Sequence, residues 1–517
     1  MSKEFNVTGT CIPEMHYMVN IDNKLAEIKS LVDNRRYFTI NRGRQYGKTT
    51  TLVSLESYLA SDYLVIPISF EGFSQSSFAN ERAFCQEFLI AVDRELKFLE
   101  SAPCWEDETI ETFGQLDLHI TKMCKGEKVL LMIDEVDKAC NYNVFLDFLN
   151  ILRKKFLARA RSRDFTFHSV ILAGVYDVRN IKLKMINDGM YKPEEGERKI
   201  SSPWNIAVDF EVDMSFFPSD IETMLDEYEK DYQTGMDVSQ IAKEIYNYTS
   251  GYPFLVSRIC QHIHSKLNEN WTKEAVHEAV KVILDEKNML FDDLFKNLEN
   301  NQDLAKFVYE ILINGQSFLF KTDNILIDFG VRYGYFKVVD RYVKIANKIF
   351  EIRISEYFIS KDETSGKWRR LNVLQQDVLQ DGRFDMQLCL EKFALHYGEI
   401  YSDKDESFFE RHGRLIFLTY LRPLINGKGF YHIESQTIDE RRMDLVVDYG
   451  VDQFIIELKI WRGEMKRQDA YEQLTGYLNR KNAKKGYLLT FDFRTREKEQ
   501  KSEWIQVGDK EIYEVQI

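Results

Sequence analysis

A short apolar run, Tyr37–Ile40, leads straight into NRGRQYGKTT, residues 41–50, and the TLVSLESYLA that follows has helical spacing. A strand that passes through a glycine-bearing turn into Gly-Lys-Thr and then a helix is built to hold phosphate. Backbone N–H groups of the loop and of the helix start converge on the anion, the Lys48 ammonium reaches the outer phosphates, and the Thr49 hydroxyl serves a Mg²⁺ ion. Gly43, Gly47 and Thr50 complete the candidate loop. The pattern departs from its common form in one respect: Arg42 stands where the first glycine usually stands, and Gly43 comes one place later.

The second half of such a site is KVLLMIDEVDK, residues 128–138. An apolar strand ending in two carboxylates brings Asp134 to the metal and Glu135 to where a general base orients the attacking water. Taken alone, the segment is equally an acidic surface turn after a core strand. Its pairing with Gly47-Lys48-Thr49 on an earlier strand selects the nucleotide reading, with ATP and Mg²⁺ as the expected ligands.

Further buried strands are expected at Tyr63–Ser69 and Ser169–Val175, with amphipathic helices such as Phe145–Ala158 between them, the alternation of a parallel α/β sheet. The polar residues after Val175, Tyr176 to Asn180, are candidates to sense the terminal phosphate. From Pro218 the strand signal stops, and 219–290 is helix-periodic apart from TSGYPF at 249–254, where proline breaks a helix for want of an N–H. Residues 300–357 return to helix and short strands, the outline of a winged helix. SKDETSGKWRR, 360–370, is the expected linker. Beyond it, 381–424 is helical, followed by strands GFYHIES, MDLVVDY and QFIIELK, a helix over 466–479 and a closing strand GYLLTFD.

At 517 residues the chain exceeds what one hydrophobic core supports. The expected division is a phosphate-loop core over 1–217, a helical lid over 218–295, a winged-helix-like segment over 296–360 and a small α/β domain over 372–517. A net charge of −14 means that any nucleic-acid contact must come from a local basic surface. Seven scattered cysteines, none spaced as Cys-x-x-Cys, fit reduced thiols and argue against a disulfide frame or a zinc site. No apolar run is long enough to span a bilayer and MSKEFNVTGT lacks a signal core, so the expectation is a cytoplasmic protein with no membrane partner.

The last domain carries its own acidic constellation. Asp444 heads one strand, and Glu457 and Lys459 close the next. On adjacent strands of a hairpin, two carboxylates hold Mg²⁺ or Mn²⁺, which polarises a phosphodiester and activates water. Lys459 shares the face of Glu457 by the period-two rule and stabilises developing charge. Gln473, on the next helix, is placed to orient the lysine or the phosphate, and Glu410 to complete the metal shell. Arg441, Arg442, Arg462, Lys466, Arg467, Arg480, Lys481, Lys484 and Lys485 lie near in sequence, interleaved with acids, so a solvated helix face competes with a phosphate-binding surface.

With these residues in view, the first 290 positions resemble the AAA-like ATPases common in bacteria, near the branch of STAND-type signal-transduction ATPases. The segments that carry the likeness are HYMV (16–19), INRGRQYGKTTTL (40–52), LLMIDEVDK (130–138), ILAGVYDVRN (171–180), SPWNIA (202–207) and SGYPFLVSRIC (250–260). The resemblance implies an ATP-driven conformational switch, contact between Pro253 and the nucleotide, and a capacity to form homo-oligomers. The C-terminal order of helix, three strands, helix and strand resembles the PD-(D/E)XK nuclease superfamily, with Asp444, Glu457 and Lys459 matching its core triplet and Gln473 its helical glutamine. Relatives often have Gly-Arg where this chain has Arg441-Arg442. Two functions follow as expectations: an ATP-controlled, metal-dependent nuclease acting on DNA or RNA, or an ATP/ADP switch whose end domain binds without cutting.

Overall fold

Residues 128–134 and 169–174 are apolar at nearly every position rather than at alternate ones, as strands covered on both faces must be. In the computed structural model, which describes residues 3–99, 110–175, 204–312, 316–321, 323–364, 378–380, 383–400, 410–425, 429–435, 443–460, 464–492 and 501–517, they are such strands. The chain separates into two compact units. One comprises Met1–Tyr246, Gly251–Glu269 and Arg332–Gly334; the other comprises Asn247–Ser250, Asn270–Val331 and Tyr335–Ile517.

The first unit runs α1 (Asp22–Asp33), β1 (Tyr37–Asn41), α2 (Lys48–Leu59), β2 (Leu64–Ser69), α3 (Glu81–Lys97), α4 (Phe113–Met123), β3 (Val129–Asp134), α5 (Asn143–Arg159) and β4 (Ser169–Gly174). The four strands pair in parallel in the order β1-β4-β3-β2. Every residue of β1, β3 and β4 is buried. Leu25, Ile28, Leu52 and Leu55 of α1 and α2 cover one face of the sheet. Phe84, Phe88, Leu116, Ile120, Phe145 and Phe148 of α3, α4 and α5 cover the other. A parallel bridge between Phe38 and Val208 extends the free edge of β1. Nearby, the fully buried Trp204 donates its indole N–H to Thr39 Oγ1 at 2.9 Å. The register sets Asn41 beside Gly174, Ile133 beside Leu172 and Ser69 beside Asp134, so the carboxyl ends of the strands share one edge. In open α/β sheets that edge is where ligands bind.

Among the described residues three helices follow, α6 (Pro218–Tyr232), α7 (Val238–Thr249, its last three residues falling in the second unit) and α8 (Pro253–Lys266). Pro218 and Pro253 each stand at the first helical position, where a missing N–H costs nothing. Pro253 thus starts a helix, while the preceding one stops at Thr249, ahead of Ser250 and Gly251 with φ 45° and 73°. Gly251, with φ 73°, packs so closely on the Phe216 backbone that a Cβ would collide with it.

The second unit contains α9 (Lys273–Asp285), α10 (Met289–Asn300), α11 (Gln302–Leu312), β5 (Phe318–Leu319), α12 (Ile325–Arg332, its last residue falling in the first unit), β6 (Phe336–Val339), β7 (Tyr342–Ile345) and α13 (Lys348–Thr364). The strands form an antiparallel sheet, β5-β7-β6. Helix α13 runs through Ser360–Thr364, so the expected linker is helical in its first residues; its remainder lies outside the described residues. Its polar composition suits an exposed helix end as well as a loop.

After the small hairpin β8 (Leu379–Gln380) and β9 (Arg383–Phe384) come α14 (Met386–Ile400), α15 (Glu410–Ile425), β10 (Gly429–Ser435), β11 (Met443–Tyr449), β12 (Asp452–Ile460), α16 (Glu464–Arg480) and β13 (Lys485–Phe491). The strand expected to close the domain does not close it. Strands β14 (Lys501–Val507) and β15 (Lys510–Gln516) follow, giving a mixed six-stranded sheet in the order β10-β11-β12-β13-β15-β14. β14 is an edge strand with charged, exposed residues, and its apolar signal is correspondingly faint. Helix α16 seats Ala470, Tyr471, Leu474 and Leu478 on Val446, Ile455, Leu488 and Ile512, which defines one face of the sheet.

In the first unit the Lys155 ammonium, withdrawn entirely from water, reaches the Asp117 carbonyl (2.9 Å), Thr121 Oγ1 (2.7 Å), Asp164 Oδ2 (2.8 Å) and Asp117 Oδ1 (2.9 Å). Lys155→Ala removes the cation and leaves two carboxylates facing each other, so it should destabilise this unit by about 3–5 kcal/mol. Urea denaturation of the full chain checks this; a loss below about 1 kcal/mol would show the network to be energetically idle.

Candidate functional site

The phosphate loop occupies the turn between β1 and α2. Gly47 adopts φ 75°, ψ 17°, a left-handed conformation that favours glycine, and Lys48 begins the helix. The Lys48 side chain is buried, and its Nζ donates to the carbonyls of Arg42 and Gly43, each at 3.0 Å. Burial pulls its pKa down, opposed by Asp137, then Glu135, then Asp134. Thr49 Oγ1 donates to Asp134 Oδ2 at 2.6 Å, while Asp134 Oδ1 accepts the Glu135 N–H at 2.8 Å. Glu135 has φ 54° and ψ 37°, an uncommon conformation for a glutamate. Its carboxyl is pushed above the usual range by burial and by Asp134, against the pull of Lys48. The loop and the acidic strand end therefore meet in one place.

Arg42 explains its own departure from the usual glycine. Its guanidinium donates to the Val212 carbonyl at 3.0 Å and to the Asn41 carbonyl at 2.9 Å, and lies 5.6 Å over the Phe210 ring. It serves as a wall of the loop. Gly43 carries the close approach instead, since a Cβ there would collide with the Tyr333 carbonyl oxygen. A Cβ at Gly47 would lie 4.0 Å from Pro253 Cβ, so Pro253 stands beside the loop. Thr50 faces elsewhere: its Oγ1 accepts the Cys11 N–H at 3.2 Å. Tyr252 Oη donates to the Arg44 carbonyl (2.6 Å), Tyr46 Oη and Ser215 Oγ share a hydrogen bond (2.7 Å), and the two tyrosine rings meet edge-on at 4.7 Å. Sequence reasoning missed Tyr46, Ser215 and Tyr252. Only the TSGYPF segment gave any signal, and it was read for its proline.

The oxygen donors of Thr49 and Asp134 suit Mg²⁺, which takes one or two protein oxygens and completes its shell with phosphate and water. Among the described residues no group of three or more His, Cys, Asp or Glu side chains forms a metal cage by itself. Tyr176 to Asn180, the candidate sensors, lie outside the described residues.

In the second unit the antiparallel ladder of β11 and β12 runs from Tyr449 beside Asp452 to Leu445 beside Ile456; Asp444 is the residue before Leu445 and Glu457 the residue after Ile456. Glu457 and Lys459 are of the same parity as Ile455, so they belong to the α16 face. Both are buried, and Lys459 Nζ is ion-paired with Glu457 Oε1. Gln473 lies on α16, half-buried, next in the helical repeat to the packed Ala470 and Tyr477. Asp444 is the second residue of β11, and Glu410 the first of α15.

The expected basic surface is partly spent inside the fold. Arg467 pairs with the buried Glu514 through Nε (2.9 Å) and Nη2 (2.6 Å), and Glu514 also accepts from Tyr471 Oη (2.5 Å) and Thr490 Oγ1 (3.1 Å). Lys485 pairs with Glu511 at 3.5 Å, and Arg480 and Lys481 lie over the Tyr477 ring. Arg441, Arg442 and Arg462 lie outside the described residues.

A family model described as AAA-like domain matches residues 24–351, and one described as PD-(D/E)XK nuclease superfamily matches residues 430–503. No curated protein matches the sequence. Among solved structures, the chain is similar to a Walker-type ATPase of Pyrococcus abyssi at 11% identity and TM-score 0.46, covering 68% of this chain and 99% of that one. It is also similar to the Aeropyrum pernix ORC2 protein, in ADPNP-ADP complexes, at 12% identity and TM-score 0.39, covering 70% of this chain and 98% of that one. Among the described residues no helix is long and apolar enough to cross a membrane, and six cysteines are free thiols.

Glu457→Ala takes away the carboxylate beside the buried Lys459 ammonium and should destabilise the second unit by about 3 kcal/mol or more, a loss that adding Lys459→Met largely restores. Denaturation of the two variants measures this. Mn²⁺ should also raise the melting temperature of the wild type more than that of a separate Glu457→Gln variant; equal shifts would place the ion elsewhere.

Proposed function

The chain belongs to the AAA-like domain family, and on that premise we propose that it is an ATP-hydrolysing switch controlling a Mg²⁺- or Mn²⁺-dependent nuclease domain. In the first unit Lys48 exchanges the Arg42 and Gly43 carbonyls for the outer phosphates of ATP, which compensate its charge better than neutral carbonyls do. Thr49 and Asp134 hold Mg²⁺, Glu135 orients the attacking water, and Pro253 borders the nucleotide. Thr50, with its hydroxyl on Cys11, ties the N-terminal segment to the loop rather than touching phosphate.

The nuclease half is carried by one observation: the buried Glu457–Lys459 pair on β12, one residue beyond the point where Ile456 pairs with Leu445, the neighbour of Asp444. Two adjacent carboxylate positions are the donor set for a hard divalent ion, and the ion supplies Lewis acidity and an activated water when bound. Lys459 stabilises the charge that develops on the scissile phosphate, Gln473 orients it, and Glu410 is a further candidate for the metal shell. The substrate is DNA, with RNA as the alternative. The setting is cytoplasmic, and the working form is a homo-oligomer. The extents are those expected from the sequence, with the core at 1–217, the lid at 218–295, the winged-helix-like segment at 296–360 and the nuclease domain at 372–517.

A second reading, a switch whose end domain holds nucleic acid or protein without cutting, is favoured by the commitment of Arg467 to Glu514 and Glu503, which withdraws a cation from phosphate contact. Cleavage of plasmid and single-stranded DNA and of RNA with Mn²⁺, with and without ATP, separates the two. Wild type should cut, and Asp444→Ala and Glu457→Ala should not; a wild type inert on every substrate supports the second reading. For the switch, Lys48→Ala should abolish ATP binding, whereas Glu135→Gln should bind ATP normally and lose turnover by about a hundredfold or more. Unchanged ATP affinity in Lys48→Ala would refute the loop assignment.

A further inference from the structure

The acidic turn holds a third carboxylate with no task in the scheme above. Asp137 lies in the single helical turn Val136–Lys138 after β3, and its Oδ2 accepts the backbone N–H of Val175, the first residue beyond β4, at 2.7 Å. Its Oδ1 lies over Gly174. A Cβ at Gly174 would come within 2.9 Å of that oxygen and 2.8 Å of Val136 Cγ2, so a larger residue there displaces the carboxylate or the turn. Gly174 faces Asn41 across the ladder, and its carbonyl accepts the Arg42 N–H at 3.2 Å. Arg42 and Gly43 are the residues whose carbonyls receive Lys48. An unbroken run of contacts therefore leads from Asp137, through the end of β4, to the root of the phosphate loop.

In the other direction Asp137 is two residues from Glu135. A left-handed glutamate persists only where its surroundings impose it. The turn's internal bonds, Lys138 N–H to the Glu135 carbonyl (3.2 Å) and Cys140 N–H to the Asp137 carbonyl (3.3 Å), close it upon itself. The Asp137–Val175 bond ties it to a second strand.

We propose that Asp137 is a positioning residue for nucleotide hydrolysis, locking the acidic turn to the end of β4 so that Glu135 keeps a fixed place relative to the phosphate loop. The proposal rests on the ATPase reading and adds a group that touches neither nucleotide nor metal. The role requires an acceptor for the Val175 N–H rather than a negative charge, and it acts on turnover rather than affinity.

The test uses the full chain, with ATP binding and steady-state hydrolysis measured on the same samples. Asp137→Ala should lower kcat about tenfold or more with ATP affinity within about threefold of wild type, as a small misplacement of a catalytic group does. Asp137→Asn, whose amide oxygen still accepts from Val175, should keep kcat within about threefold, and Gly174→Ala should behave as Asp137→Ala. If Asp137→Ala does not fold, the contrast between Asp137→Asn and Gly174→Ala decides. Equal losses in Asp137→Asn and Asp137→Ala, or affinity falling in step with rate, overturn the proposal. Wild type and Asp137→Ala hydrolysing at the same rate overturn the positioning role alone. A wild type that binds no triphosphate overturns the ATPase reading and this proposal with it.

Discussion

Removing a charge from water costs several kcal/mol unless hydrogen bonds and an opposite charge make up for it, and this chain buries Lys48, Lys155, Glu457, Lys459 and Glu514. How completely each is compensated separates structural from functional groups. Lys155 meets two carboxylates, a hydroxyl and a carbonyl, and Glu514 meets a guanidinium and two hydroxyls. Both are satisfied by their own fold. The hydrogen bonds of Lys48 go to two neutral carbonyls, and burial still depresses its pKa. An ammonium held that way gains from a polyanion what its own loop does not give it.

The phosphate site is a consequence of strand order. β1 delivers the loop and β3 the acidic end, with β4 between them in the sheet. Thr49 and Asp134 nevertheless touch, and the root of the loop is bonded to the end of β4 through the Arg42 N–H and the Gly174 carbonyl. The spacing between loop and carboxylates is thus set by whatever fixes the end of β4. Gly174 and Val175, unremarkable in sequence, sit at that junction, held by Asp137 from one side and by Asn41 and Arg42 from the other. In the second unit strand pairing has a similar effect: Leu445 and Ile456, distant in sequence, become neighbours only through the antiparallel register of β11 and β12.

Much of this was legible from local pattern. The apolar runs of β1 to β4 and the strands β10 to β13 stand within a residue or so of their expected bounds, since burial on both faces leaves a continuous apolar signature. The family expectation at both ends holds as well. The closing pair β14 and β15 escaped notice because an edge strand carries charge on its exposed positions and so blurs the alternation. The first residues of the linker expected at 360–370 are helical, because polar composition does not separate an exposed helical turn from a loop.

The sequence by itself determined which residues can do chemistry: a Gly-Lys-Thr at a helix start, two carboxylates at the end of a buried strand, and a Glu-x-Lys on another. Those assignments depend on covalent neighbours and on strand or helix period, quantities that a linear text contains. The tertiary structure alone decided that Arg42 is a wall and Gly43 the point of close approach, that Thr50 serves Cys11, that Arg467 is committed to Glu514, and that Asp137 grips Val175. Each of those depends on which distant segment arrives opposite a side chain, and local periodicity carries no information about arrival.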